Sequence, residues 1–271
     1  MVDKTLVFHF YVDPLYKNKI SYKMHFACLR EYSNVFTNAI FILSMDNKND
    51  TSLINNVEKD IINCGFSCPI NFDIAENDEY REVKTFKNYI IDKLDTYNGL
   101  VFFSHTKGTT NIDKYEWMTE NYLHWIFSLY YYYYSLEYAD DEVIKKLIEN
   151  YGGHKRAMYG PMGSYAVNGK IFYPGTFFWL NCKKIKEDEV NGYIRIPLLY
   201  DRSYAECFPQ IYNNGIYDVT THWDKIMDGT EQFLNEQTKS LYDETDWGGM
   251  AEFYMDRENY EKVYNKLRNS L

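Results

Sequence analysis

No apolar run in this chain approaches the roughly 18 residues that a membrane-spanning helix needs. No run of Lys or Arg exceeds two, and the formal net charge is −10. A protein that tracks phosphates needs a basic face to displace counterions, so stable nucleic-acid binding is not expected. The five cysteines (Cys28, Cys64, Cys68, Cys182 and Cys207) form no CxxC pair, and no His flanks the closest two. That spacing argues against a zinc set and for a reducing compartment, the cytoplasm. The opening Met1-Val2-Asp3-Lys4 runs into a strand-like segment carrying His9 and Asp13, unlike a secretory leader. A Walker loop, GxGxxG, GxSxG and HExxH are all missing. Neither a repeat nor a linker interrupts residues 1–271, which read as one domain with elaborated loops.

What the chain has in excess is tyrosine, 28 of 271 residues. Its company of Lys and Asn fits an AT-rich coding composition, while its amphipathic ring also suits stacking on sugars or covering a wet interface. The uncharged cluster at residues 130–134 has two readings. One is a helix buried against a sheet; the other is a patch resting on a membrane or a lipid-linked substrate, giving peripheral association with the cytoplasmic face of the inner membrane. The stretch lacks a basic face, which favours the buried helix.

Strand and helix patterns alternate through the first hundred residues. Residues 5–10, 38–44, 69–74 and 99–104 are β-rich, and the second and fourth are near-continuously apolar, as in strands covered on both faces. Residues 22–36, 52–63 and 81–97 have helical spacing, most clearly Val83, Phe86, Ile90 and Leu94. The alternation predicts an α/β fold with a mostly parallel central sheet flanked by helices. Ligands of such sheets bind beyond the carboxyl ends of the strands, where the chain order reverses. Residues 9–13, 46–50, 76–81 and 105–110 are therefore the candidate loops. Later come helical patterns over 115–138 and 140–150, two short strands around Val167-Asn168-Gly169-Lys170, a strand resuming at Phe177-Phe178-Trp179-Leu180, and a helix over 259–271.

Within those loops, Ser104-His105-Thr106-Lys107-Gly108 carries the clearest chemistry. Lys107 beside the backbone N–H groups of a Gly108 turn suits a diphosphate, and His105 can hydrogen-bond the same group. In Pro174-Gly175-Thr176-Phe177-Phe178-Trp179, Gly175 allows close backbone approach and Trp179 offers a face for a sugar ring; a bulge followed by a core Trp is the plainer reading. Glu252, after Trp247-Gly248-Gly249, is the first candidate general base. Glu206, in Arg202-Ser203-Tyr204-Ala205-Glu206, is the second, and Glu82 the weakest, since a helix-start carboxylate also serves the helix dipole. Asp46 and Asp50 could join a hard-cation site but equally make a solvated turn, so no metal set is assigned.

Three blocks, in order, resemble a family of bacterial polysaccharide-synthesis glycosyltransferases, the rhamnan-synthesis-F-like group and its capsular and O-antigen relatives. They are Val101-Phe102-Phe103-Ser104-His105-Thr106-Lys107, Tyr173-Pro174-Gly175-Thr176-Phe177-Phe178-Trp179 and Trp247-Gly248-Gly249-Met250-Ala251-Glu252. Asn77-Asp78 through Arg81-Glu82, with Thr85-Phe86, is a weaker fourth match. The blocks span residues 77–252, while the first 75 residues match only in their alternating pattern.

The resemblance implies a GT-A-like nucleotide-sugar-binding fold. Residues 1–110 would form the nucleotide-binding half, and 111–271 the acceptor side and C-terminal helices. It also implies transfer from a UDP-linked donor, with galactofuranose and galactose as options, to a glycan or lipid-linked oligosaccharide. Asn77, Arg81, Glu82, Gly175, Thr176, Trp179 and Arg202 become nucleotide- or sugar-contacting candidates. GT-A folds usually carry Asp-x-Asp at the end of the fourth strand, holding a divalent ion on the diphosphate. Here that place reads Ser104-His105-Thr106-Lys107. Transfer without a cofactor is expected, with Mn²⁺ or Mg²⁺ as the alternative. A non-catalytic carbohydrate- or nucleotide-binding protein derived from such a transferase is the competing class.

Overall fold

The computed structural model describes residues 3–78, 80–106, 119, 123, 126, 127, 130, 158, 159, 165–167, 170–172, 177–196, 198, 204–208 and 257–271. Among them the chain order is β1 (Lys4–Tyr11), α1 (Ile20–Tyr32), β2 (Asn38–Met45), α2 (Thr51–Ile62), β3 (Ile70–Glu76), α3 (Glu82–Tyr89) and β4 (Leu100–His105). Then follow β5 (Met158–Tyr159), β6 (Tyr165–Val167), β7 (Lys170–Phe172), β8 (Phe178–Asn181), α4 (Cys182–Val190), α5 (Tyr204–Cys207) and α6 (Arg257–Arg268).

Six strands form one sheet in the order β3-β2-β1-β4-β8-β5. The first four in that row are parallel; β8 runs antiparallel to β4 and β5 antiparallel to β8. The result is an α/β, Rossmann-like arrangement with a mostly parallel sheet flanked by helices, as the alternation predicted. In the separate β6–β7 pair Val167 lies opposite Lys170, the register that the expected hairpin requires; Asn168 and Gly169 lie outside the described residues.

The order of the strands explains the placement of the helices. From β1 to β3 the chain steps outward, then α3 carries it back past β1 to β4. A right-handed crossover in each direction puts the outward and returning helices on opposite faces. The rings agree: Phe10 of β1 meets Tyr22 and Phe26 of α1 at 5.7 and 5.6 Å between centroids, while Phe103 of β4 meets Phe86 of α3 at 5.1 Å. Phe10 and Phe103 belong to opposite faces, because Phe103 pairs with Val7 and side chains alternate along a strand.

Local chemistry sets the element ends. Asp50 caps α2 by accepting the Leu53 N–H at 3.0 Å, which gives this carboxylate a structural job. Gly99 lies where β4 begins beside β1: a Cβ there would fall 2.1 Å from the Asp3 carbonyl oxygen, which accepts the Leu100 N–H at 2.8 Å. The helix expected over 81–97 breaks at Ile90, and residues Ile91–Thr96 continue as a 3-10 turn.

Leu123, Ile126, Phe127 and Tyr130 are helical positions and fully buried, spaced as one helix stripe. Tyr130 joins its hydroxyl to His25 Nδ1 at 2.7 Å. At this position the buried-helix reading fits; residues 131–134 lie outside the described residues. Near the C-terminus, α6 packs on α1, with Lys266 Nζ 2.6 Å from Glu31 Oε2. No helix among the described residues is long and apolar enough to cross a membrane.

Candidate functional site

Chain order reverses between β1 and β4, so their carboxyl ends form the mouth where open α/β sheets take ligands. Thr106 ties those ends together. Its N–H donates to the His9 carbonyl at 3.1 Å, and its hydroxyl accepts the Tyr11 N–H at 2.9 Å. In the motif Ser104-His105-Thr106 the threonine is thus a clip that fixes the edge of the crevice, and it is buried.

Immediately before the clip, His9 and His105 are Cα partners across β1 and β4, and both are buried. His9 Nδ1 is held 2.8 Å from Thr85 Oγ1 of α3. Burial pushes the His9 pKa down to about 4; the carboxylates of Glu82 and Asp78 oppose the shift, and His105 and Arg81 reinforce it. The folded protein therefore favours the neutral ring, and protonating it as pH falls from 6.5 towards 4 works against the fold.

The loop between β3 and α3 follows the carboxyl end of β3, on the same edge of the sheet. Asp78 Oδ1 accepts the N–H groups of Tyr80 and Arg81 at 3.0 and 3.1 Å, and Oδ2 pairs with Lys84 Nζ at 2.6 Å. Burial raises the Asp78 pKa, but the Lys84 bond and the two backbone donors outweigh it and hold the carboxyl below its usual range. Arg81 takes φ 47° and ψ −126°, the one positive φ at a non-glycine among the described residues. Such strain persists only where surroundings enforce it, here the Asp78 turn. Arg81 is exposed, yet its charge acts on both His9 and Tyr11. Asn77 donates from Nδ2 to Asp46 Oδ1 at 2.8 Å, linking the ends of β2 and β3.

Asn77, Arg81, Glu82 and His105, four of the positions singled out in the sequence, thus lie at or just past the carboxyl ends of β3 and β4, on one edge of the sheet. Trp179 does not join them. It is 1% exposed, opposite Phe102 in the β4–β8 pairing and stacked on Phe36 with centroids 5.8 Å apart. The expected sugar platform is a core residue, because pairing with β4 turns its ring onto the apolar face of the sheet. Glu206 lies in α5, which packs beside α3. Lys107, Gly108, Gly175, Thr176, Arg202 and Glu252 lie outside the described residues.

His9, Thr85 and Thr106 fall inside segments quoted from the sequence, but sequence reasoning gave none of the three a role of its own. His9 had one visible signal, a lone imidazole at the carboxyl end of an apolar strand. No group of three or more His, Cys, Asp or Glu suited to a metal occurs among the described residues. A shallow cavity of about 400 Å³ lined by Tyr97, Lys183 and Lys186 lies at the amino end of β4, away from this crevice.

No protein-family model, no curated protein and no solved structure matches this chain.

Proposed function

We propose that this chain is a glycosyltransferase of the GT-A kind. It moves a sugar from a UDP-linked donor to a bacterial surface-polysaccharide acceptor, either a glycan or a lipid-linked oligosaccharide. The observation that carries the reading is the position of His105 and Thr106, at the end of β4 beside the reversal point, with Asn77, Arg81 and Glu82 past the carboxyl end of β3 on the same edge of the sheet. The sequence blocks around residues 101–107, 173–179 and 247–252 supply the reaction class.

A departing diphosphate needs positive charge where its own charge develops. Lys107, His105 and the backbone N–H of Gly108 are assigned that task. Glu252 takes the proton from the acceptor hydroxyl if the sugar inverts, with Glu206 as the second choice. Because Ser104-His105-Thr106-Lys107 replaces an acidic pair, transfer is expected to keep its full rate in excess EDTA. Complete loss on chelation, restored by Mn²⁺ or Mg²⁺, would overturn this metal-free assignment and leave the transferase reading standing.

The donor class is tested by thermal shift against UDP, GDP, CDP and dTDP and their sugars. Ligand at a hundredfold excess over Kd stabilises by about 2.7 kcal/mol, and at ~2–4 °C per kcal/mol that raises Tm by roughly 5–10 °C. A UDP preference is the expected outcome; indifference to every nucleotide would end the donor assignment. The missing acidic pair also favours a second reading, a binding protein that has lost catalysis. Slow hydrolysis of a nucleotide sugar without acceptor separates the two, because only an active transferase releases the sugar.

A further inference from the structure

On the edge of the sheet opposite His105 and Thr106, the 3-10 turn Ile91–Thr96 leads through Tyr97 and Asn98 into β4, while β8 runs out into α4. Between that turn and α4 lies the shallow cavity of about 400 Å³. Its size falls at the small end of small-molecule sites, about 300–1,000 Å³. At ~3.3 Å per residue of strand, the run from Asn98 to His105 sets it roughly 20 Å from the carboxyl edge.

Two ion pairs line the cavity. Lys186 Nζ of α4 lies 3.8 Å from Asp95 Oδ2 of the turn, and Lys183 Nζ lies 3.9 Å from Glu187 Oε1, one helical turn along α4. Both gaps exceed the roughly 2.7–3.2 Å of a direct N–H···O bond. Each therefore offers a donor and an acceptor that one hydroxyl can join, accepting from the ammonium and donating to the carboxylate. Asn98 and Asn191 add amides with both capacities. The rest of the lining is apolar. Leu94 and Val190 contribute methyl groups, and Tyr97, whose hydroxyl is committed to the Tyr89 carbonyl oxygen, contributes its ring.

The charges on the lining cancel, two ammoniums against two carboxylates. That balance gives an anion no net attraction, and the ammoniums oppose a metal ion. An apolar ligand would strip water from the polar groups without replacing its hydrogen bonds. What complements the lining is a molecule whose hydroxyls both donate and accept and whose C–H face is apolar, which describes a sugar ring.

We propose that this cavity is a carbohydrate-binding site for an uncharged hexose unit, separate from the carboxyl edge of the sheet. The assignment does not depend on the transferase reading, since a non-catalytic carbohydrate-binding protein would hold a glycan in the same way. In a transferase the site would seat a glycan unit far from the reacting hydroxyl.

Four neutral probes test this, the methyl glycosides of galactose, rhamnose, glucose and N-acetylglucosamine, followed by saturation-transfer NMR on the whole protein. At least one is expected to bind, with transfer strongest at its ring C–H protons. Asp95→Ala and Glu187→Ala should each weaken that binding by about tenfold, the scale of one hydrogen bond to a charged group. Both carboxylates are exposed, at 74% and 53% of the side chain, so the fold should tolerate either change. Asp95→Asn keeps an acceptor for the hydroxyl and should recover part of the affinity; an Asn variant as weak as the Ala variant overturns the proposal. Saturating UDP or sodium sulfate should leave the sugar signals unchanged. Their loss with UDP puts the sugar at the carboxyl edge, which overturns the separate site while supporting the donor reading. Their loss with sulfate marks an anion site and overturns the carbohydrate class. Silence from all four probes, or binding that neither Ala variant weakens, also overturns the proposal, and the donor reading is then judged by the nucleotide thermal shifts alone.

Discussion

Replacing Glu252 by Gln should lower sugar transfer by about a thousandfold while leaving UDP affinity within a factor of about two. The argument is one of protonation. A sugar hydroxyl is a poor nucleophile until a base accepts its proton during bond formation, and positioned bases of this sort contribute roughly 10²–10⁴-fold. Gln keeps the size and hydrogen-bonding reach of the side chain but cannot take the proton. The loss should therefore appear in kcat with little change in donor binding, because the carboxylate acts in the transition state rather than in the ground-state complex. Glu206→Gln is the internal comparison. If Glu206 is the base instead, the large loss moves to that variant, and a fully active Glu252→Gln protein eliminates the first assignment. Should neither variant lose activity, the proton must leave by another route, and the inverting scheme with a carboxylate base fails.

The candidate site was legible in the sequence as far as strand ends are legible. Apolar runs such as Asn38–Met45 and Leu100–His105 are bounded by polar residues, so the position of each carboxyl end follows from pattern alone. That was enough to bring the loops holding Asn77, Arg81 and His105 to one edge. Contacts made across long stretches of chain were not legible. The His9–Thr85 bond joins residues 76 positions apart, and nothing local marks Thr85 as buried. Trp179 shows the complementary failure. Its sequence neighbours allow either face of a strand, and only the pairing of β8 with β4 decides that the ring turns inward. The break at Ile90 has a similar origin. Val83, Phe86, Ile90 and Leu94 all remain buried, so the apolar stripe is satisfied whether the chain continues as an α-helix or tightens into a 3-10 turn. Periodicity reports the buried face more faithfully than it reports the helix type.

Phe86 is where fold and site are most tightly joined, and Phe86→Ala should destabilise the protein by about 3–5 kcal/mol. The ring is fully buried, one turn along α3 from Glu82 and adjacent to Thr85. It touches Phe103 of β4 at 5.1 Å, Phe208 at 5.2 Å and Tyr204 of α5 at 6.0 Å between centroids. Those partners come from a strand and a later segment, so local collapse cannot refill the space, and the cavity cost adds to the lost transfer energy. Against a total stability of roughly 5–15 kcal/mol, this is a large share. It corresponds to a fall in Tm of ~6–20 °C at about 2–4 °C per kcal/mol.

The neighbouring Lys87→Ala serves as a control. Its ion pair with Asp92 is partly exposed, at 23% and 48% of the side chains, so the expected change stays within about 0.5 kcal/mol. Urea unfolding of the three proteins measures the contrast, and a Phe86→Ala unfolding free energy within about 0.5 kcal/mol of the parent, the scale of an ordinary surface change, contradicts the packing argument. The same ring also bears on binding. Because α3 carries Thr85 and Glu82 and follows Arg81 directly, loosening its seat on β4 displaces those residues while His105 and Thr106 stay on the strand. On the proposed nucleotide-sugar reading, Phe86→Ala should therefore weaken UDP binding even at temperatures where the protein remains folded. Phe86→Leu, which keeps most of the buried volume, should recover both stability and affinity in large part.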